Sequence, residues 1–242
     1  MKSLKVLSID TETNALDARC DPLFKMLGVS YSMEGVQEYL PIGHIGGPNL
    51  DKSYVLSLLQ SLVSSADIIC FHNAKFDLVA LSREFPEIDW WGLNWYCTML
   101  MYHMIDENFF DKSLDAVGKH LFGIGKEKSD DFKAVIKGPG WAFLPVWLTE
   151  NYAKQDALLT EDIFHRIHSV FQSEGFDGEL WKKERLFVQA LSSMEQLGVA
   201  IESQLAETEF QIGQVRMASI VQMLDGLNPS SPKDLEELLI NR

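Results

Sequence analysis

The chain has no surplus of positive charge. Twenty-one lysines and arginines stand against thirty-five aspartates and glutamates in 242 residues, a net charge of −14. That balance excludes a general basic nucleic-acid binder. It does not exclude an enzyme that grips a few nucleotides through metal ions, because the ions bring their own local positive charge. Cysteine is scarce. Cys20, Cys70 and Cys97 are odd in number and far apart, so they make neither a zinc motif nor a disulfide framework, and a reducing cytoplasm is expected. Long apolar runs are missing too. No stretch is long enough to span a bilayer, and the opening MKSLKVLSID runs from apolar residues straight into acid, without the layout of a signal peptide. No membrane partner is expected. Internal repeats and low-complexity segments are also lacking. What is present is a 46% hydrophobic composition, enough for one large domain or one domain with an appendage.

The organising stretch is 4–12, LKVLSIDTE. Its apolar part, 4–10, reads as a strand that ends in two carboxylates. Asp10 and Glu12 are two apart, so on a strand both point to one face. Two anions so placed repel each other and lose hydration, and a hard divalent cation is the simplest offset.

Further along, 25–31 and 36–42 read as strands joined by a hairpin turn at Glu34-Gly35. Val55, Leu58, Leu59, Leu62 and Val63 recur at helical spacing. Residues 67–71 read as a buried strand, 72–77 open a helix, and 98–105 and 114–121 read as short helices. Residues 123–145 are mostly loop. A long helix is expected from about Thr149, as its N-cap, to a stop at Gly175. Beyond it, 180–197 carries a helical apolar stripe, 198–201 reads as a turn and short strand, and 203–224 as a helix. Pro232 starts another helix at its first position. Strands first with helices between them predict an α/β fold with a mixed sheet.

Three spaced pairs carry the chemistry. After Asp10 and Glu12 come Asn73 and Asp77, four apart at a helix start, then Tyr152 and Asp156, four apart on the long helix. Each helical pair shares a face. Alone each has a bland reading: solvated acids at a turn, an N-cap with acid favoured by the helix dipole, a core tyrosine. Together they resemble the motifs of the DEDD superfamily of 3′–5′ exonucleases, in the subgroup with tyrosine in the last motif. The chain is more closely similar to the proofreading domain of family A DNA polymerases. The likeness is carried by Ile9-Asp10-Thr11-Glu12-Thr13, His72-Asn73-Ala74-Lys75-Phe76-Asp77, Thr98-Met99-Leu100 and Tyr152-Ala153-Lys154-Gln155-Asp156. It extends into the tail through Glu195-Gln196-Leu197-Gly198-Val199-Ala200-Ile201 and Asn228-Pro229-Ser230-Ser231-Pro232.

The resemblance implies a ribonuclease-H-like mixed sheet flanked by helices, with a helical C-terminal extension. It implies an exonuclease domain over 1–175 and, over 176–242, the start of a polymerase region without polymerase activity in this chain. It also implies two divalent cations, Mg²⁺ with Mn²⁺ able to substitute. Asp10 would bridge them, Glu12 and Asp156 would complete the first, and Asp77 would hold the second. Tyr152 would orient the attacking water. Thr11, Leu16, Asn73 and Phe132 would contact substrate, with Leu16 wedged at the terminal base and Phe132 stacked on a base. The implied partners are a single-stranded or frayed 3′ end of DNA and the polymerase portion of the same polypeptide, in the cytoplasm of a bacterial cell, with the gene bacterial or phage-borne. The rivals are a ribonuclease D-like RNA exonuclease and a silent domain that braces a polymerase.

Overall fold

The structure is a computed structural model describing residues 4–15, 18–45, 47–123, 137, 141–224, 228 and 230–240. Five strands form one sheet in the order β3-β2-β1-β4-β5. They are β1 (Val6–Thr13), β2 (Met26–Met33), β3 (Val36–Pro41), β4 (Ile68–Phe71) and β5 (Trp95–Cys97). β1, β2 and β3 run antiparallel, and β4 and β5 continue parallel to β1. The sheet is therefore mixed, as expected.

The β2–β3 hairpin turns at Glu34 and Gly35, with φ of 50° and 84°. Both angles are left-handed, the type I′ requirement that matches the twist of paired strands. The helices of the first part are α1 (Lys52–Ser65), α2 (Ala74–Glu84), α3 (Thr98–Ile105), α4 (Leu114–Phe122), α5 (Val146–Ser173) and α6 (Glu179–Leu197). α5 lies across β1, β2, β3 and β4, and α2 packs on β1 and β4. The parity of β1 assigns the faces. Ser32, paired with Ser8, donates to Glu161 of α5, so Ser8, Asp10 and Glu12 face α5. Thr11, of opposite parity, is bound by Asp77 of α2.

Four details differ from expectation. β1 runs on to Thr13 rather than ending at Asp10, so both acids sit inside the strand. β5 was hidden because three residues, Trp95-Tyr96-Cys97, are too short to show a period. The long helix starts at Val146, behind Pro145, not at Thr149. Proline presets the chain for a helix start and lacks the N–H that a cap must satisfy. Thr149 lies buried inside the first turn and its hydroxyl donates to the Pro145 carbonyl. Residues 198–202 carry neither helix nor strand, and among the described residues no strand pairs with them. Gly175, at φ 74°, does end α5.

The chain divides into two compact units, Met1–Gln196 and Leu197–Arg242. The first contains the sheet and its core. Trp181 of α6 is 2% exposed and stacks on Tyr96 with ring centroids 5.2 Å apart, so α6 belongs to that core. The second unit holds α7 (Ser203–Met223) and α8 (Pro232–Ile240), which begins at Pro232 as expected. No residue of α7 is buried. Among the described residues, no helix is long and apolar enough to cross a membrane.

Candidate active site

β1 contributes Asp10 and Glu12 to one face, and α5 lays Asp156 over it. One carboxylate oxygen from each of these three residues lies within 4.8 Å of the others. Glu12 and Asp156 are buried and Asp10 is half-buried. The strand is irregular here. The β1–β2 register slips between Glu12 and Thr13, so that Glu12 pairs with Gly28 and Thr13 with Met26. Such bulges bend a strand and re-aim side chains.

Tyr152 sits one helical turn before Asp156, and its hydroxyl donates to that carboxylate. Burial, followed by the charges of Asp156, Glu12 and Asp10, pushes the phenol far above its ordinary value. At neutral pH it stays protonated, a hydrogen-bonding group rather than a base.

Asp77 is not a member of the group that meets within 4.8 Å. It lies in the first turn of α2, and Thr11 binds its Oδ1 twice, through the backbone N–H at 3.1 Å and the hydroxyl at 2.7 Å. Burial raises its carboxyl to about 7, against the opposing pull of the Thr11 bonds. Thr11 lies between Asp10 and Glu12 in sequence, so the strand that carries two of the acids also holds the carboxylate of Asp77. Thr11, expected to touch substrate, has its hydroxyl engaged by Asp77.

Asn73 is exposed and adopts a left-handed conformation, φ 69°, at the start of α2. Its side chain makes no capping bond. It lines a cavity of about 320 Å³ with Ala18, Arg19, Lys75, Phe76 and Glu195. Glu195 of α6 pairs with Lys75 at 2.7 Å and with Arg19. Leu16 and Phe132 lie outside the described residues.

The donor set of the acidic group is wholly carboxylate oxygen, which suits hard divalent cations such as Mg²⁺ and Mn²⁺. Three carboxylates gathered in a half-buried site repel one another unless cations or protons offset them. The residues present therefore fit a divalent metal site.

One neighbour of the group has no signature motif in the sequence. Tyr39 of β3 is 6% exposed, and its hydroxyl lies 2.7 Å from Nε2 of His44. Burial and the charges of Glu12 and Asp10 raise its phenol well above the usual range. The only signal in the sequence was its parity in 36–42. Its distance from Glu12 depends on two strand registers that no local pattern states.

Known proteins resemble this chain in sequence and in fold. Residues 1–172 match the family described as the 3′–5′ exonuclease of A-type DNA polymerases. The whole chain aligns at 25% identity with DNA polymerase I of Borreliella burgdorferi and spans 26% of that protein's length. Among solved structures, a nuclease in its apo form is similar at TM-score 0.58 and 19% identity, covering 81% of this chain and 88% of that one. Brucella melitensis NrnC with bound Mg²⁺ is similar at TM-score 0.55 and 18% identity, covering 81% and 87%. At such identities these two likenesses speak for the fold, a ribonuclease-H-like sheet flanked by helices. With its mixed sheet, its acidic group and a family match over 1–172, the chain belongs to the 3′–5′ exonuclease family of A-type DNA polymerases.

Proposed function

We propose that the chain removes nucleotides from the 3′ end of DNA as the proofreading part of an A-type DNA polymerase. The product would be a nucleoside 5′-monophosphate. The observation that carries the reading is the meeting of Asp10, Glu12 and Asp156 within 4.8 Å, with the Tyr152 hydroxyl bonded beside them. Asp10, Glu12 and Asp156 would hold Mg²⁺, or Mn²⁺ in its place, and Asp77 would serve a second ion. When bound, two such cations stabilise the attacking and leaving oxygens of an in-line displacement. Tyr152, kept protonated, orients the attacking water by hydrogen bonding. Thr11 holds Asp77 through two donors, and Asn73 lines the open cavity where a terminal nucleotide would lie. Leu16 and Phe132 remain proposed contacts to the bases.

Terminal nucleotides must leave the duplex stack to reach such a site, so single-stranded and frayed ends are the preferred substrate. Residues 176–242 are proposed as the start of a polymerase-like region. The exposed apolar side chains of α7, among them Phe210, Val215 and Ile220, support a role against further polymerase structure. The substrate would place the reaction in the bacterial cytoplasm.

The test uses single-stranded DNA and RNA labelled at either end, with Mg²⁺, Mn²⁺ or EDTA. We expect shortening from the 3′ end that needs metal, proceeds faster on DNA, and is lost in Asp10→Ala with Glu12→Ala. Equal activity in that variant, or no metal-dependent shortening, overturns the reading. RNA degraded faster than DNA overturns the DNA assignment alone.

A further inference from the structure

Asp10 pairs with Ser30, and Ser30 pairs with Tyr39. Directly paired residues share a face, so Tyr39 stands on the α5 side, two strands from Asp10. Its ring leans over Gly28, the partner of Glu12. A Cβ on Gly28 would lie 2.4 Å from both Cζ and the hydroxyl oxygen of Tyr39, so only glycine leaves room for the ring there.

The hydroxyl has a defined direction. His44 is 4% exposed, and its Nδ1 lies 2.9 Å from the carbonyl oxygen of Leu144. A carbonyl only accepts, so Nδ1 carries the proton and Nε2 accepts from the Tyr39 hydroxyl. The chain of bonds therefore runs from β3 through His44 to Leu144. Leu144 and Pro145 are the last two residues before α5.

Two further contacts grip the same segment. The N–H of Ile45 donates to Ala142 at 3.3 Å. Gly47 lies so close to Val146, the first residue of α5, that a Cβ would come within 2.7 Å of Cγ2. The loop after β3 thus holds the chain at 142, 144 and 146, just ahead of the helix that carries Tyr152 and Asp156.

We propose that Tyr39 and His44 are positioning residues, a relay that sets the first turns of α5, and with them Tyr152 and Asp156, against Asp10 and Glu12 of β1. The proposal rests on the exonuclease reading for its catalytic consequence, and on geometry alone for its structural one. Tyr39→Phe keeps the ring and removes the bond to His44. His44→Asn keeps a donor for Leu144 and is too short to reach Tyr39.

At a temperature where circular dichroism shows both variants fully folded, kcat on a single-stranded oligonucleotide should fall about 10-fold while KM stays within about twofold. The double variant should be no slower than the slower single one, as for two members of one relay. Hydrogen–deuterium exchange should quicken across residues 144–156 in both single variants. Wild-type kcat and wild-type exchange in the folded variants overturn the relay. An inactive wild-type protein overturns the exonuclease reading instead, and the exchange measurement still decides the relay.

Discussion

Asp77 carries the sharpest residue-scale consequence. Its carboxyl is raised to about 7 in the folded chain by burial, whereas an unfolded aspartate ionises near its ordinary value of about 3.9. Between those values the native state holds a proton that the unfolded state has released. Stability from this group is therefore full below the ordinary value and is lost as pH rises through about 7. Without metal, the melting temperature should fall as pH rises across that window, and Asp77→Asn should flatten the fall. An equally steep fall in the variant would show that other groups cause it. Divalent metal should reduce the fall near neutrality, because a cation stabilises the ionised carboxylates. Asp10, Glu12 and Asp156 were legible in the sequence as spaced acids. That Thr11 holds Asp77 was not, because it follows from where α2 packs against β1.

At the scale of elements, β2 is shaped by what it leaves out. Gly28 has no side chain, and the space is filled by the ring of Tyr39. Gly28→Ala should force that ring aside and destabilise the protein by about 1–3 kcal/mol, the usual cost of overpacking a filled core. Urea denaturation followed by circular dichroism measures it, and a cost near zero would mean the ring yields freely. The start of α5 at Val146 differs from the expected Thr149 because of what precedes it. Thr149 is a good cap by residue type, but the chain reaches α5 already shaped by Pro145 and gripped by the loop after β3. The hairpin at Glu34-Gly35, the four-residue spacing of Tyr152 and Asp156, and the stop at Gly175 were all legible, because each rests on local backbone preference or helical period.

For the molecule as a whole, the compact first unit ends at Gln196. α6 is the reason. Trp181 packs on Tyr96, Trp95 and Phe171, and its indole N–H donates to the Trp95 carbonyl at 3.3 Å. A piece covering 1–196 should fold and keep whatever metal-dependent exonuclease activity the full chain shows. A piece covering 1–175 lacks Trp181 and should melt at lower temperature. Trp181→Ala in the full chain should cost about 3–5 kcal/mol, as for other buried aromatics. Thermal melts of the three proteins test this, and equal melting of the 1–175 and 1–196 pieces would contradict it. The apolar stripe of 180–197 was visible in the sequence, but its period cannot say whether the partner is the sheet domain or something beyond it.

The sequence by itself determined the secondary elements with a clear period, the residue types of the acidic group and the family to which the chain belongs. These depend on local propensity and on motif spacing along the chain. Only the tertiary structure decided which acids meet, that Thr11 serves Asp77, that Tyr39 reaches over Gly28 toward Glu12, and that His44 ties β3 to the start of α5. Those facts depend on strand register and on the face each helix covers. Both arise from packing between segments far apart in the chain, a hundred residues apart for His44 and Leu144, and no local pattern records them.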